Sequence, residues 1–201
     1  MKLWQSPASP YARKVRVVII ECGIQDKVEM VAQMPRDETG AYYAINPIRR
    51  IPALETEDGA ILFDSPVICE FLDATYQGGL LPRSGPERWD TLKRQAYGDG
   101  IMDAAVPVAQ SKRPGEVDPG EAWYARMHGM VLGPMDELNR LAAAGELSET
   151  PDLGTLAIAC ALGYVDFRHD HLQWREGRPA LAAWEARLRE RPSLKATVPT
   201  G

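Results

Sequence analysis

Hydrophobic side chains near the start of the chain follow two different periods. Residues 2–6 and 27–33 are short runs whose bulky or alternating apolar positions predict β-strands. Between them, residues 9–23 carry apolar side chains at helical spacing, which predicts an amphipathic helix. The predicted solvent face of this helix carries Arg13, Lys14 and Arg16. Strand, helix and strand in this order form a βαβ unit, so the two strands should be parallel and the crossover right-handed.

A hairpin and a second helix follow. Residues 51–55 and 61–63 are brief apolar runs on either side of Asp58-Gly59, a dipeptide typical of tight hairpin turns. Ser65-Pro66 then opens a helix that ends near Tyr76, with the serine as its cap. This second unit therefore adds antiparallel strands to the sheet.

The order βαβ, connection, ββα is that of a small thioredoxin-like α/β sandwich, which we assign to residues 1–77. The connection, residues 34–46, is polar, and we expect a short irregular helix around residues 39–44. Residues 78–86 are dense in glycine and proline, and this composition predicts a linker at a domain boundary.

Residues 87–201 are predicted to form an all-α helical bundle. Apolar residues recur at helical spacing in segments 87–110 and 123–144, and again around Trp184 in a helix that stops at Arg191-Pro192. The segment 155–170 is apolar nearly all round, so it should be the central, buried helix. Each of the first two helices contains a proline, Pro107 and Pro134, which we expect to kink or interrupt it.

Charge and cysteine content narrow the class of protein. The chain has 201 residues with 23 basic and 28 acidic side chains and no basic block, which argues against nucleic acid or an anionic membrane as its partner. Its three cysteines are widely spaced, so we expect neither disulfides nor a zinc ribbon, and a cytoplasmic location. The most apolar run, residues 156–165, is about half of the roughly twenty residues that span a bilayer, so no membrane anchoring or export is expected.

His169 and His171, two apart on a predicted helix, should point away from each other, and we expect no bound metal.

The start of the first helix is a candidate site of chemistry. Ser9 can cap this helix, and Pro10 suits its first position because that amide has no partner within the helix. A serine hydroxyl there lies beside unpaired amides and the positive end of the helix dipole, a setting that stabilises an anion such as a thiolate. The alternative is a serine that only caps the helix.

Several motifs along the whole chain resemble those of the glutathione transferase family. They are Ser9-Pro10-Tyr11 followed by Arg13-Lys14, the stretch from Asn46-Pro47 to Ile51-Pro52, the stretch from Asp58-Gly59 to Asp64-Ser65, and the helical segments 99–104 and 155–161. The chain resembles in particular small bacterial glutathione transferase-like proteins with a serine at the active position. The resemblance implies the thioredoxin-like and all-helical architecture described above, glutathione as co-substrate and a homodimer.

The resemblance also implies a glutathione site. In this family the proline that corresponds to Pro52 is cis and the residue before it, Ile51, binds glutathione through its backbone, while Asp64 and Ser65 would hold the γ-glutamyl end. Arg50 lies where the family often has a donor for the glycyl carboxylate. The structural alternatives are an exposed Arg49-Arg50 loop pair, an ordinary edge-strand proline and a plain helix cap.

The resemblance assigns the thiol of glutathione to Ser9, which would donate a hydrogen bond to the thiolate. Serine cannot form a mixed disulfide, which argues against glutaredoxin-like activity. Ser6 is the competitor because it ends the first strand, and Tyr11 is a weaker one.

The electrophile should bind between the two domains. We expect this site to be lined by apolar and aromatic side chains that are equally suited to the core, namely Tyr11, Met102, Val106, Trp123, Tyr164 and Phe167. Asp99 and Asp103, four apart on one helix face, reach the active cleft or a second subunit, or lie on an exposed face.

Three functions remain open at this point. The first is conjugation of glutathione to small electrophiles, the second is a glutathione-dependent isomerase, dehalogenase or lyase reaction, and the third is a binding module without turnover. The joint presence of Ser9, Ile51-Pro52 and Asp64-Ser65 favours the first two, because a scaffold needs none of them.

Overall fold

The computed structural model describes residues 1–33 and 40–201. Its first part contains four strands and three helices, whose order follows the predicted βαβ and ββα units. These are β1 (Lys2–Gln5), α1 (Pro10–Glu21), β2 (Glu29–Ala32), α2 (Ala41–Ile45), β3 (Ala53–Glu55), β4 (Ile61–Leu62) and α3 (Ser65–Tyr76). The short helix expected around residues 39–44 is α2, and Thr39 lies outside the described residues.

The strands form one sheet in the order β2-β1-β3-β4. β1 and β2 are parallel, while β3 is antiparallel to both β1 and β4. Trp4 lies opposite Ala53, and Leu54 lies opposite Leu62. The C-terminal end of β1, the N-terminal end of β3 and the C-terminal end of β4 therefore meet at one end of the sheet.

The second part of the chain is helical. It contains α4 (Pro86–Ser111), α5 (Glu121–Ala143), α6 (Leu153–Arg168), α7 (Pro179–Arg189) and α8 (Pro192–Lys195). The predicted architecture, a thioredoxin-like part followed by an all-helical part, is thereby confirmed. None of the helices within residues 1–33 and 40–201 is long and apolar enough to cross a membrane.

The structure excludes the expected interruption at Pro107 and Pro134, while a kink at either residue stays a prediction. α4 continues through Pro107 and α5 continues through Pro134. A proline removes a single hydrogen bond from the helix interior. Helices of 26 and 23 residues keep enough flanking turns to bridge that loss.

The predicted solvent face of α1 was also wrong. Arg13 and Lys14 are 5% and 1% exposed, and Arg16 is half-buried. α1 packs against α3 of the same part and against α4, α6 and α8 of the helical part, so polar side chains of α1 contact protein rather than water. The buried charges of this helix consequently need partners from distant parts of the chain.

α6 is the central buried helix, as predicted. All of its residues from Leu153 to Leu162 are buried. The sequence places Thr155 at its start without a reciprocal carboxylate, but the cap is Asp152, which accepts from the Thr155 amide at 2.7 Å. The Thr155 hydroxyl in turn accepts from the Asp152 amide at 2.9 Å, so the capping box is complete with the carboxylate first. Arg94 of α4 also binds Asp152, at 2.5 Å, and thus ties the start of α6 to α4.

α4 and α6 approach each other at backbone distance. A Cβ atom added to Gly98 would lie 2.5 Å from the carbonyl carbon of Ala157. Only glycine fits at this crossing, since real Cβ atoms do not approach backbone atoms so closely. The contact holds α4 directly against the central helix.

We expect Gly98→Ala to lower the free energy of unfolding by about 1–3 kcal/mol, because the new methyl group must push α4 away from α6. Gly100→Ala is the matched control on the same helix. Its Cβ would meet no atom within 4 Å, and alanine should raise the stability by roughly 0.5–1 kcal/mol through its smaller loss of backbone entropy. Urea unfolding followed by circular dichroism measures both, and equal stabilities of the two variants would contradict the prediction.

Candidate active site

Ser9 occupies the N-cap of α1. Its Oγ accepts a hydrogen bond from the Ala12 amide at 3.2 Å, and its backbone amide donates to the Ser6 carbonyl at 3.1 Å. A hydroxyl has one proton to donate besides its acceptor lone pairs. Ser9 can therefore cap α1 and at the same time donate its proton to an anion outside the helix.

The segment before β3 is braced by the side chains of Tyr42 and Asn46. The Ile51-Pro52 bond is cis. The Arg50 carbonyl accepts from Tyr42 Oη at 2.7 Å and from Asn46 Nδ2 at 2.6 Å. Asn46 is fully buried and also accepts from the Ile48 amide, so it fixes the whole turn that leads to Ile51.

Asn46 and Tyr42 were not among the predicted site residues. A sequence signal existed for Asn46, because it opens the asparagine-proline motif. Tyr42 carried none, since a tyrosine in a short helix is an ordinary core residue.

The prediction that Ser65 caps α3 was wrong. Asp64, not Ser65, is the N-cap of α3, and Ser65 is the first residue of the helix. The Asp64 side chain makes no capping hydrogen bond and is exposed. Its carboxylate is thus free of the helix it precedes, while Ser65 is 1% exposed at the helix start.

The sheet brings these three segments together. The loop with Ser9 follows β1, Ile51-Pro52 precedes β3, and Asp64-Ser65 follows β4. Because β3 is antiparallel to its two neighbours, all three segments leave the same end of the sheet. Three kinds of group therefore lie at this end of the sheet. They are the Ser9 hydroxyl, a backbone segment with the exposed cation Arg50, and the Asp64 carboxylate beside a helix start.

Two contacts join α1 of the α/β part to α4 of the helical part. Tyr11 donates from Oη to Asp103 Oδ1 at 2.5 Å, and Lys14 Nζ lies 2.5 Å from Asp99 Oδ1. Burial raises the pKa of Asp99, and the Lys14 ammonium offsets part of that effect. Asp99 and Asp103, whose direction the sequence left open, thus face α1.

The contact with Asp103 determines whether the Tyr11 hydroxyl can donate a hydrogen bond to a ligand. Burial, followed by the hydrogen bond to Asp103, raises the pKa of Tyr11 far above its usual value. Tyr11 is therefore a neutral phenol whose only proton is donated to a carboxylate, so it cannot at the same time donate to a thiolate. Ser9 has no such competing acceptor among the contacts of the described chain.

The residues expected at the electrophile site differ in burial and in location. Met102 has no exposed surface and Tyr164 is 5% exposed, so both belong to the core. The expectation that these two side chains line the electrophile site is therefore corrected. Val106 and Trp123 are half-buried, and the Trp123 ring packs edge-on against Tyr124. Phe167 lines a different cavity, described below.

The prediction that His169 and His171 point apart was wrong. His169 ends α6, and His171 lies in a short turn of 3-10 helix, Asp170–Leu172, so the regular helical angle does not apply. The His171 ring is 5.9 Å from that of His169 and 5.8 Å from that of His128. All three histidines of the chain thus form one cluster. A search of the described residues found no group of three or more His, Cys, Asp or Glu side chains arranged for a metal ion.

His169 is the buried member of this histidine cluster. Its Nε2 lies 2.8 Å from the Ala105 carbonyl oxygen, so Nε2 carries the proton and Nδ1 is an unpaired, buried acceptor within the described structure. Burial lowers the pKa of His169 to about 4. The ring is therefore neutral at pH 7.

Comparisons with known proteins agree with this geometry. Residues 8–75 match the family model of the glutathione S-transferase N-terminal domain, and residues 121–187 match that of the C-terminal domain. The uncharacterized GST-like protein YibF of Escherichia coli K12 is 34% identical over 202 aligned residues, which cover 99% of this chain and 98% of YibF.

Solved structures of a glutathione transferase family member from Pseudomonas fluorescens Pf-5 are also similar. The structure with bound glutathione is 37% identical, has a TM-score of 0.91 and is matched over 100% of this chain and 99% of its own. The structure with bound S-(propanoic acid)-glutathione is 36% identical, has a TM-score of 0.87 and is matched over the full length of both chains.

The neutral state of His169 predicts a pH-dependent stability. The unfolded chain takes up a proton near pH 6.5, whereas the folded protein excludes it until about pH 4. The free energy of unfolding should therefore fall by roughly 1–3 kcal/mol as the pH drops through this window. His169→Gln should remove this part of the slope in urea unfolding measured across the window.

His171→Gln is the control, because His171 belongs to the same histidine cluster but is exposed. It should keep the wild-type slope. Parallel stability curves of wild type and His169→Gln would contradict the assignment.

Proposed function

The chain belongs to the glutathione S-transferase family, and we propose that it is a glutathione transferase that activates the glutathione thiol as a thiolate for attack on small electrophiles. The observation that supports this proposal best is the convergence of Ser9, Ile51-Pro52 and Asp64-Ser65 on one end of the sheet. The Pf-5 protein, similar over its full length, binds glutathione. A tripeptide with a thiol and several charged ends matches these three segments.

In this proposal glutathione lies at the end of the sheet, along the segment that precedes β3. Ile51 offers backbone groups in the manner of an added strand. Asp64 supplies a counter-charge for the γ-glutamyl amine, and Ser65, at the start of α3, suits the carboxylate beside it. The exposed Arg50 guanidinium faces the glycyl carboxylate, which it can bind as a fork.

Ser9 is the proposed catalytic residue. Its Oγ is oriented by the Ala12 amide, and its proton is free to be donated to the sulfur. A hydrogen bond to the charged form of a group lowers its pKa, so more of the bound thiol is ionised at neutral pH. The thiolate then forms a bond to the electrophilic carbon of the second substrate, and either a leaving group departs or an adjacent carbon takes up a proton.

The electrophile is proposed to bind in the cleft between residues 1–77 and residues 87–201, which we carry forward as the two domains with the linker 78–86. Tyr11 forms one wall and is held by Asp103 of the opposite part. The half-buried Val106 and Trp123 are the remaining candidates for lining residues on the helical side.

We propose that the protein works as a homodimer in the cytoplasm and that its role there is detoxification. The three cysteines are free thiols, which suits a reducing compartment. Exposed apolar side chains on three helices, Val67 on α3, Trp89 on α4 and Met130 on α5, offer surface for a second copy of the chain.

A glutathione-dependent isomerase is the second candidate. The maleylacetoacetate isomerase of Pseudomonas aeruginosa is 32% identical over 91 residues, which cover 44% of this chain and 43% of that enzyme. The same thiolate would add to its substrate and leave again. A panel with haloarenes, unsaturated carbonyl compounds and a cis-alkene diacid distinguishes the candidates, because only transfer yields a stable glutathione adduct.

We expect Ser9→Ala to lower kcat/KM for glutathione and chlorodinitrobenzene roughly 10- to 100-fold, because the variant loses one hydrogen bond to a charged group. The pKa of bound glutathione, measured by the ultraviolet absorbance of its thiolate, should rise. Ser6→Ala is the control and should retain wild-type values. Equal activities of the two variants would remove Ser9 from its proposed role.

Asp64→Asn should weaken glutathione binding about tenfold in isothermal titration calorimetry, because the ligand amine loses its counter-charge. Asp26→Asn removes a similarly exposed carboxylate from the turn before β2 and should leave the affinity unchanged. An unchanged affinity in Asp64→Asn would show that this carboxylate does not contact the ligand.

A further inference from the structure

A cavity of about 280 Å³ lies beside α1, between α6, α7 and the residues that follow α8. We call it the Arg13 cavity. Its walls are mostly apolar, with Phe167, Leu194 and Val198 among them, and its charged lining includes Arg13, Asp166 and Glu185. Pockets that hold drug-sized ligands occupy about 300–1,000 Å³, so this volume suits a smaller molecule.

Arg13 is a buried cation with neutral partners only. It is 5% exposed, and its guanidinium donates to the Leu194 carbonyl at 3.1 Å and to the Thr197 hydroxyl at 3.5 Å. In the described part of the chain no carboxylate forms an ion pair with it. Gly163 leaves room for the guanidinium, since a Cβ there would lie 2.3 Å from Arg13 Nη1. A charge buried without a counter-ion is costly unless a ligand supplies one.

A second arginine strengthens the positive charge. Arg16 donates to the Pro7 carbonyl at 3.3 Å and the Thr197 carbonyl at 3.5 Å, both again neutral. Its Nε is buried and without a hydrogen-bond partner in the described structure. Burial and the nearby charge of Arg13 lower the pKa of Arg16. Two like charges are therefore held close together on one side of α1.

The carboxylates that line the cavity do not neutralise these arginines. Asp166 binds Arg175 through both oxygens, at 2.6 and 2.8 Å. Glu185 also binds Arg175, at 3.0 Å, and lies 3.6 Å from Arg189. Both acidic side chains are thus already paired with other cations, and the charge of Arg13 remains available to a ligand.

The Arg13 cavity is separate from the glutathione crevice. Side chains on a helix are about 100° apart per residue, so Arg13 and Arg16 project from the side of α1 roughly opposite to Tyr11 and Lys14. The latter two face α4 and the cleft. A ligand in the cavity would therefore not occupy the place of either glutathione or the electrophile.

We propose that the Arg13 cavity is a second, non-catalytic binding site for a small organic acid, a monocarboxylate with a compact apolar body. The carboxylate binds the Arg13 guanidinium, whose planar donors suit it, and the apolar body packs against Phe167, Leu194 and Val198. The site does not depend on the proposed transferase activity, because none of these residues belongs to the glutathione crevice.

Titration calorimetry of the full chain with sodium benzoate, at saturating glutathione, tests the proposal. Benzoate should bind, and benzamide, which has the same shape but no charge, should bind at least about tenfold more weakly. Ser9→Ala should bind benzoate like the wild type, so a failure of the transferase proposal would not affect this result. Absent benzoate binding, or loss of binding when glutathione is added, would overturn the proposal.

Variants locate the site. Val198 is 57% exposed at the rim, so Val198→Trp should fill the cavity without removing a hydrogen bond and should weaken benzoate binding about tenfold or more. Val117→Trp, at an 88% exposed position outside the cavity, is the matched control and should bind normally. Arg13→Lys keeps the charge but loses the fork, and should weaken benzoate more than benzamide. Equal affinities of the two tryptophan variants would overturn the assignment even if Arg13→Lys failed to fold.

Discussion

The buried ion pair between Lys14 and Asp99 is the contact on which the arrangement of the site depends. Lys14 lies one turn along α1 from Tyr11, and Asp99 lies one turn along α4 from Asp103, so the two contacts together clamp the helices side by side. A buried ammonium must keep its partner, because an uncompensated charge in the interior costs several kcal/mol. The position of Ser9, at the start of α1, is thereby set relative to the helical part of the chain.

Most of the secondary structure could be predicted from the sequence because it follows local rules. The change of hydrophobic period marked the strands and helices, and Asp58-Gly59 marked the hairpin. The uniform hydrophobicity of α6 correctly indicated burial on all sides. The family resemblance supplied the candidate glutathione-binding residues, which the hydrophobic pattern alone does not determine.

The errors have two causes, namely partners that are distant in sequence and helix ends that the pattern does not define. Arg13 and Lys14 look like solvent-exposed residues in a short window, yet their partners lie 181 and 85 residues away. His169 and His171 were judged as members of a regular helix, although the chain leaves that helix at His169. The predicted central helix begins at Thr155 and therefore leaves out Asp152, whose carboxylate caps α6 three residues earlier.

The close crossing at Gly98 has a consequence for how the two parts of the molecule can move. Asp99 is the next residue along α4, so the residue that grips α1 adjoins the point where α4 touches the backbone of the central helix. Rotation of the α/β part away from the helical part would have to break this ion pair, so the arrangement opposes a hinge motion between them. The motions left to the candidate site are therefore those of its side chains and loops.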